Sequence, residues 1–137
     1  MKIFADTSGL FALLAQNDQM HIQAKENFMY FAQQKAQLIT SSFVLVETLA
    51  LLQRRIGIPP VQDFHSFLFP LLETIWVDRE WYNRGVQRLQ TLNNRNLSLV
   101  DCLSFEIMEF KEISLAFSFD KHFTEAGFTL TTKNPLP

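Results

Sequence analysis

The chain has 137 residues, 47% of them apolar and 13% aromatic. That is enough for one domain with its own core and too apolar for disorder. No apolar run approaches the ~20 residues that cross a bilayer, and the opening stretch is broken by Asp6 without a small-residue cleavage site, so neither a span nor a signal peptide is expected. A net charge of -2 gives no strong pull toward nucleic acid, and the single Cys102, read as a buried structural thiol, suits a reducing cytoplasm.

From the N-terminus, the apolar run 2–5 reads as a strand that ends at Asp6, and a short helix is expected over about 7–15. Ile22, Ala24, Phe28, Phe31 and Ala32 recur near helical spacing and predict a longer helix at about 20–35. A strand at 37–40 follows, and Ser41-Ser42 can cap a helix running to Ile56. Gly57 and the pair Pro59-Pro60 mark a stop and a restart. A helix at 60–72 then leads into a strand at 73–77. Helices at about 79–93 and 99–111 flank the loop 93–96, residues 114–119 alternate as a strand, and 128–131 supply a last one. Strands alternating with helices predict a three-layer α/β/α sandwich with a mostly parallel central sheet. With no repeat, low-complexity tract or linker, residues 1–137 are expected to form a single domain.

Four acids stand where these strands end or helices begin: Asp6, Glu47, Asp101 and Asp120. In such sheets, ligands collect outside the carboxyl ends of the strands. Asp6 and Asp120 are placed there directly, and Glu47 and Asp101 lie near the starts of helices that rise from the same edge. Carboxylates flanked by apolar residues are costly to bury unpaired, so a cation is expected between them. An all-oxygen donor set suits Mg²⁺ or Mn²⁺. All four acids are therefore candidate metal ligands and catalytic residues. Gathering them at one site leaves ten acids elsewhere against 12 Lys and Arg, a mildly basic surface that permits a phosphate-rich partner.

Each acid also has a plainer reading. Asp6 could be an N-cap, Ser98-x-x-Asp101 has capping-box spacing, and Asp120 could serve a turn. Glu47 shares a helical face with Phe43 and Leu51 and so is expected to face the core, unless it snorkels to solvent. His21, His65 and His122 lack zinc-ligand spacing, and His122 is read as fixing the turn that aims Asp120. No Gly-rich loop marks a nucleotide cofactor. Phe64, Phe67, Phe69, Trp76, Trp81 and Tyr82 read as core or dimer seam before base-stacking platform. Arg54, Arg55, Arg84 and Arg88 either contact phosphates or line an ordinary solvated face.

The order and context of the acids resemble the PIN domain family, especially the VapC-type toxins of bacterial toxin–antitoxin pairs. The matching blocks are Phe4-Ala5-Asp6-Thr7-Ser8, Ser42-Phe43-Val44-Leu45-Val46-Glu47-Thr48 and Leu97-Ser98-Leu99-Val100-Asp101-Cys102-Leu103-Ser104. A fourth is Phe119-Asp120-Lys121-His122-Phe123, leading to Ala126-Gly127-Phe128. The resemblance implies a metal-dependent endoribonuclease with Asp6, Glu47, Asp101 and Asp120 as its acidic quartet and Ser8 at a polar position near the metal. It also implies an RNA substrate, a homodimer and a cognate antitoxin; the acids alone do not choose RNA over DNA. Residues 57–96 match no part of the family pattern and are where substrate selectivity could reside. Two rival readings are a binding module of the same fold with an idle quartet and a phosphoryl transferase using Asp6 as nucleophile. Ser8 stands against the second, since that group carries an Asp there.

Overall fold

The computed structural model describes residues 1–132. In chain order these form β1 (Lys2–Ala5), α1 (Thr7–Leu14), α2 (His21–Gln33), β2 (Gln37–Ser41), α3 (Ser42–Arg55) and α4 (Ile58–Asp63). There follow β3 (Glu73–Ile75), α5 (Arg79–Leu92), α6 (Leu99–Phe110), β4 (Leu115–Phe117), α7 (His122–Glu125) and β5 (Thr129–Leu130). The five strands make one sheet in the order β3-β2-β1-β4-β5, with every neighbouring pair parallel. The crossovers from β1 to β2 to β3 run one way along the sheet, and those from β3 to β4 to β5 run the other. Right-handed connections therefore place α1–α4 on one face and α5–α7 on the opposite face. The helix contacts agree, with α1 on α2 and α3, α3 on α4, and α5 on α6. The α/β/α sandwich is as expected.

Strands covered on both faces need continuous apolar runs, and Ile3, Phe4, Ala5, Ile39, Ala116 and Phe117 are all buried. Edge-to-face ring pairs lock each layer: Phe31 of α2 meets Phe117 at 5.3 Å, and Phe105 of α6 meets Phe123 of α7 at 5.2 Å. Cys102 is free and buried, and that burial pushes its thiol up, so the structural reading holds. Among the described residues no helix is long and apolar enough to cross a membrane.

The strand expected at 114–119 is shorter, Leu115–Phe117, and two further departures from the sequence reading have local causes. The helix expected at 60–72 begins at Ile58 with Pro59 and Pro60 in its first turn, widens to a π-helical turn at Phe64–Leu68 and tightens to a 3₁₀ turn at Phe69–Leu71. Pro70 lacks an N–H and its ring crowds the preceding turn, so an α ladder cannot run through it. The strand expected at 73–77 stops at Ile75. Beyond it the Val77 N–H donates to Ser42 Oγ at 2.9 Å instead of continuing the ladder.

Candidate active site

The chain leaves β1 toward one edge of the sheet and leaves β4 toward the other, so the carboxyl ends of these two neighbouring strands flank the topological switch point. Asp6 and the segment Ser118–Asp120 sit there. The Asp6 N–H donates to Phe117 O at 3.1 Å, extending the pairing past the strand ends. α1 starts hard against β4. A Cβ added at Gly9 would meet the Phe117 carbonyl oxygen at 2.5 Å, so glycine is what permits the approach.

This approach joins Asp6, Ser8 and Ser118. Asp6 is only 4% exposed, and its Oδ2 accepts from Ser118 Oγ at 2.8 Å and from Ser8 Oγ at 3.2 Å. The two hydroxyls are 3.0 Å apart. Ser8 Oγ accepts from the Phe119 N–H at 2.8 Å, and Ser118 Oγ from the Asp120 N–H at 3.0 Å. The two serines thus tie the first acid to the backbone that carries the last. Asp6 occupies the N-cap position of α1 but its side chain makes no cap bond, so the plain capping account fails for it. Ser118 escaped the sequence reading. Its only signal was a lone hydroxyl inside the apolar run 115–119, two residues before Asp120.

Asp101, Asp120 and His122 converge from the start of α6, the end of β4 and the start of α7, with one potential ligand atom from each lying within 4.8 Å of the others. Asp101 closes the capping box: Ser98 Oγ accepts from its N–H at 3.0 Å, and its Oδ2 accepts from the Ser98 N–H at 3.1 Å. Capping and site are therefore compatible roles. Asp120 Oδ1 accepts the His122 N–H at 2.9 Å, so the turn that aims Asp120 is fixed by the backbone of His122 and does not need its ring. The imidazole Nδ1 lies 3.1 Å from Asp120 Oδ1 and 3.9 Å from Asp101 Oδ2. It is buried and makes no hydrogen bond.

Glu47 and Asp6 contribute no atom to that compact group. Asp6 is nonetheless coupled by charge to Asp101 and to Glu47. Burial, aided by the charges of Asp101 and Glu47 and opposed by the Ser118 hydrogen bond, pushes Asp6 up to about 7. Burial, with the charge of Asp120, raises Asp101 as well, against the hydrogen bonds from Ser98. Glu47 is exposed, contrary to the expected core-facing position. The buried face of α3 is formed by Val44, Leu45, Thr48 and Leu52, while Phe43 and Leu51 are only half-buried. The solvent-tipped alternative holds.

The basic candidates lie elsewhere or are engaged. Arg88 pairs with Glu106 at 2.8 Å and Glu109 at 2.9 Å, and Arg84 pairs with Glu106 at 3.4 Å and covers Trp81 at 4.5 Å. They clamp α5 to α6 instead of waiting for phosphates. Arg55 covers the Phe11 ring at 5.5 Å. His21 Nδ1 is bonded to Ala12 O at 2.8 Å, and His65 stacks on Phe69.

Among the described residues no Lys or Arg pairs with Asp6, Glu47, Asp101 or Asp120. Carboxylates gathered at one strand edge, one of them buried, beside an orphaned imidazole nitrogen are the donor set that a divalent cation fits. Residues 3–129 match the PIN domain family, and the chain belongs to that family. It is 34% identical over 137 residues, covering 92% of this chain and 95% of the relative, to the 23S rRNA-specific endonuclease VapC20 of Mycobacterium tuberculosis. The crystal structure of VapC20, a sarcin–ricin loop cleaving toxin, aligns with a TM-score of 0.82 at 32% identity, covering 93% and 96% of the two chains. VapBC2 from Rickettsia felis, bound to a fragment of promoter DNA, aligns with a TM-score of 0.69 at 14% identity over 95% and 97% and shares the fold alone. Within its family, then, the chain is similar over nearly its whole length to a toxin of the VapC type.

Proposed function

We propose that this ribonuclease is Mg²⁺- or Mn²⁺-dependent, that Asp6, Glu47, Asp101 and Asp120 form its active site, and that its substrate is a loop of 23S rRNA. The observation that carries the reading is Asp6: a carboxyl almost sealed from solvent, held by two hydroxyls, with other acids nearby and, among the described residues, no Lys or Arg paired with it. A binding module would gain nothing from that cost. The substrate follows from the likeness to VapC20 over nearly the whole chain. We also propose a single-domain, cytoplasmic homodimer restrained by a cognate antitoxin. The exposed Phe67, Leu71, Trp76 and Tyr82 supply apolar surface for self-association.

A bound divalent ion would supply Lewis acidity and lower the pKa of water. Asp101 and Asp120 would hold it, each already oriented by backbone hydrogen bonds. Asp6 would add its carboxylate, aimed by Ser8 and Ser118. Glu47, on the solvent side, would take the proton of the attacking water or help hold a second ion. No residue in this scheme acts through the 2′-hydroxyl, so water is the nucleophile. Incubating ribosomes with the protein and mapping cleavage by primer extension tests the reading. Expected is one dominant cut in 23S rRNA that needs Mg²⁺ or Mn²⁺ and stops in EDTA. Equal degradation of all RNAs would refute the substrate, and cleavage that persists in EDTA would refute the metal.

A further inference from the structure

We infer that the His122 imidazole is itself a metal ligand, joining Asp101 and Asp120, and that it tunes the site toward Mn²⁺ over Mg²⁺. The inference rests on the metal-dependent reading above and names a ligand outside the acidic quartet.

The geometry around Nδ1 leaves few alternatives. The atom is sealed from solvent and has no hydrogen-bond partner, although Asp120 Oδ1 is only 3.1 Å away. That oxygen is near enough for a hydrogen bond but lies off the line along which a ring N–H would point. With Nδ1 unprotonated, its lone pair crowded beside two carboxylate oxygens is repulsive. A cation between them removes the conflict. Two donors each about 2.1 Å from one ion are separated by about 3.0 Å at right angles and about 4.2 Å when opposite. The observed separations from Nδ1, 3.1 Å to Asp120 and 3.9 Å to Asp101, fall inside that span.

Orienting Asp120 does not explain the ring, because the His122 backbone N–H does that at 2.9 Å whatever side chain follows. The three donors are also preset on separate elements. Asp101 is held by its capping box, Asp120 by the turn, and His122 by the start of α7. An imidazole in place of an oxygen shifts selectivity. Mg²⁺ favours oxygen and water, whereas nitrogen donors increasingly suit the later first-row ions, for which Mn²⁺ is the first step.

The test loads the full chain with Mn²⁺ and measures pulsed electron paramagnetic resonance, with calorimetric titrations of Mn²⁺ and Mg²⁺ for the wild type and His122→Asn. Expected are a nitrogen hyperfine coupling in the wild type, its loss in the variant, and an Mn²⁺ affinity lowered by at least about tenfold. Mg²⁺ affinity should change by less than about twofold, since water readily takes the vacated position. Mn²⁺ bound without nitrogen coupling in the wild type overturns this inference alone, and that measurement does not depend on the variant folding. A coupling retained in His122→Asn, or equal weakening of both ions, also overturns it. A wild type that binds neither ion overturns it together with the metal-dependent reading.

Discussion

Removing the charge of Asp6 is expected to stabilise the metal-free protein at neutral pH, even though the side chain is hydrogen-bonded. Its carboxyl is buried and pushed up to about 7 by that burial and by the charges of Asp101 and Glu47. In the unfolded chain it titrates near 3.9. Between those values the folded protein holds a proton that the unfolded chain has released. Stability therefore falls as pH rises, by about 1.4 kcal/mol per pH unit. The contribution is fully present below pH ~4 and is lost by pH ~7, a total of about 4 kcal/mol. Asp101, also raised, adds a change of the same sign. Asp6→Asn keeps an acceptor for Ser8 and Ser118 but removes the titration. In EDTA at pH 7.5 it should melt about 10 °C above the wild type, and the gap should close near pH 4. Thermal melts of both proteins from pH 4 to 8 measure this. A variant less stable than the wild type at pH 7.5, or a gap independent of pH, would refute the reasoning.

Three further outcomes follow from the same geometry. Asp101→Asn retains an acceptor for the Ser98 N–H, so it should abolish cleavage yet melt at or above the wild type in EDTA. Saturating Mg²⁺ should raise the wild-type melting point and move the variant much less; a mere cap would instead lose roughly 0.5–1 kcal/mol with or without metal and remain active. Gly9→Ala puts a Cβ against the Phe117 backbone and should cost about 1–3 kcal/mol by chemical denaturation while reducing cleavage; a neutral substitution would contradict the close approach. Sedimentation should show a dimer at micromolar concentration that Phe67→Asp weakens, and a wild-type monomer would count against self-association.

Much of the site was legible because its carboxylates mark chain punctuation. Asp6 ends an unbroken apolar strand, Asp101 completes a capping spacing, and Asp120 follows the next strand of the sheet, so each could be placed at one edge before any coordinates. What was not legible depended on neighbours distant in sequence. Ser118 matters only because β4 lies beside β1 and brings its hydroxyl to Asp6. Arg84 and Arg88 looked free because nothing in α5 announces Glu106 and Glu109 on α6. Glu47 lies off the core face that its spacing with Phe43 and Leu51 predicts, because those two are only half-buried and α3 packs through Val44, Leu45, Thr48 and Leu52. The irregular stretch at 64–71 could have been suspected from Pro70, though not its π-helical widening.

The chemistry of the cut ends tests the central claim most directly, since an acidic metal site that activates water leaves a different product from one that uses the 2′-hydroxyl. Cleaved 23S rRNA fragments should carry 5′-phosphate and 3′-hydroxyl ends when Mg²⁺ or Mn²⁺ is present, and no fragments should form in EDTA. Cyclic 2′,3′-phosphate ends, or cleavage unaffected by EDTA, would contradict it.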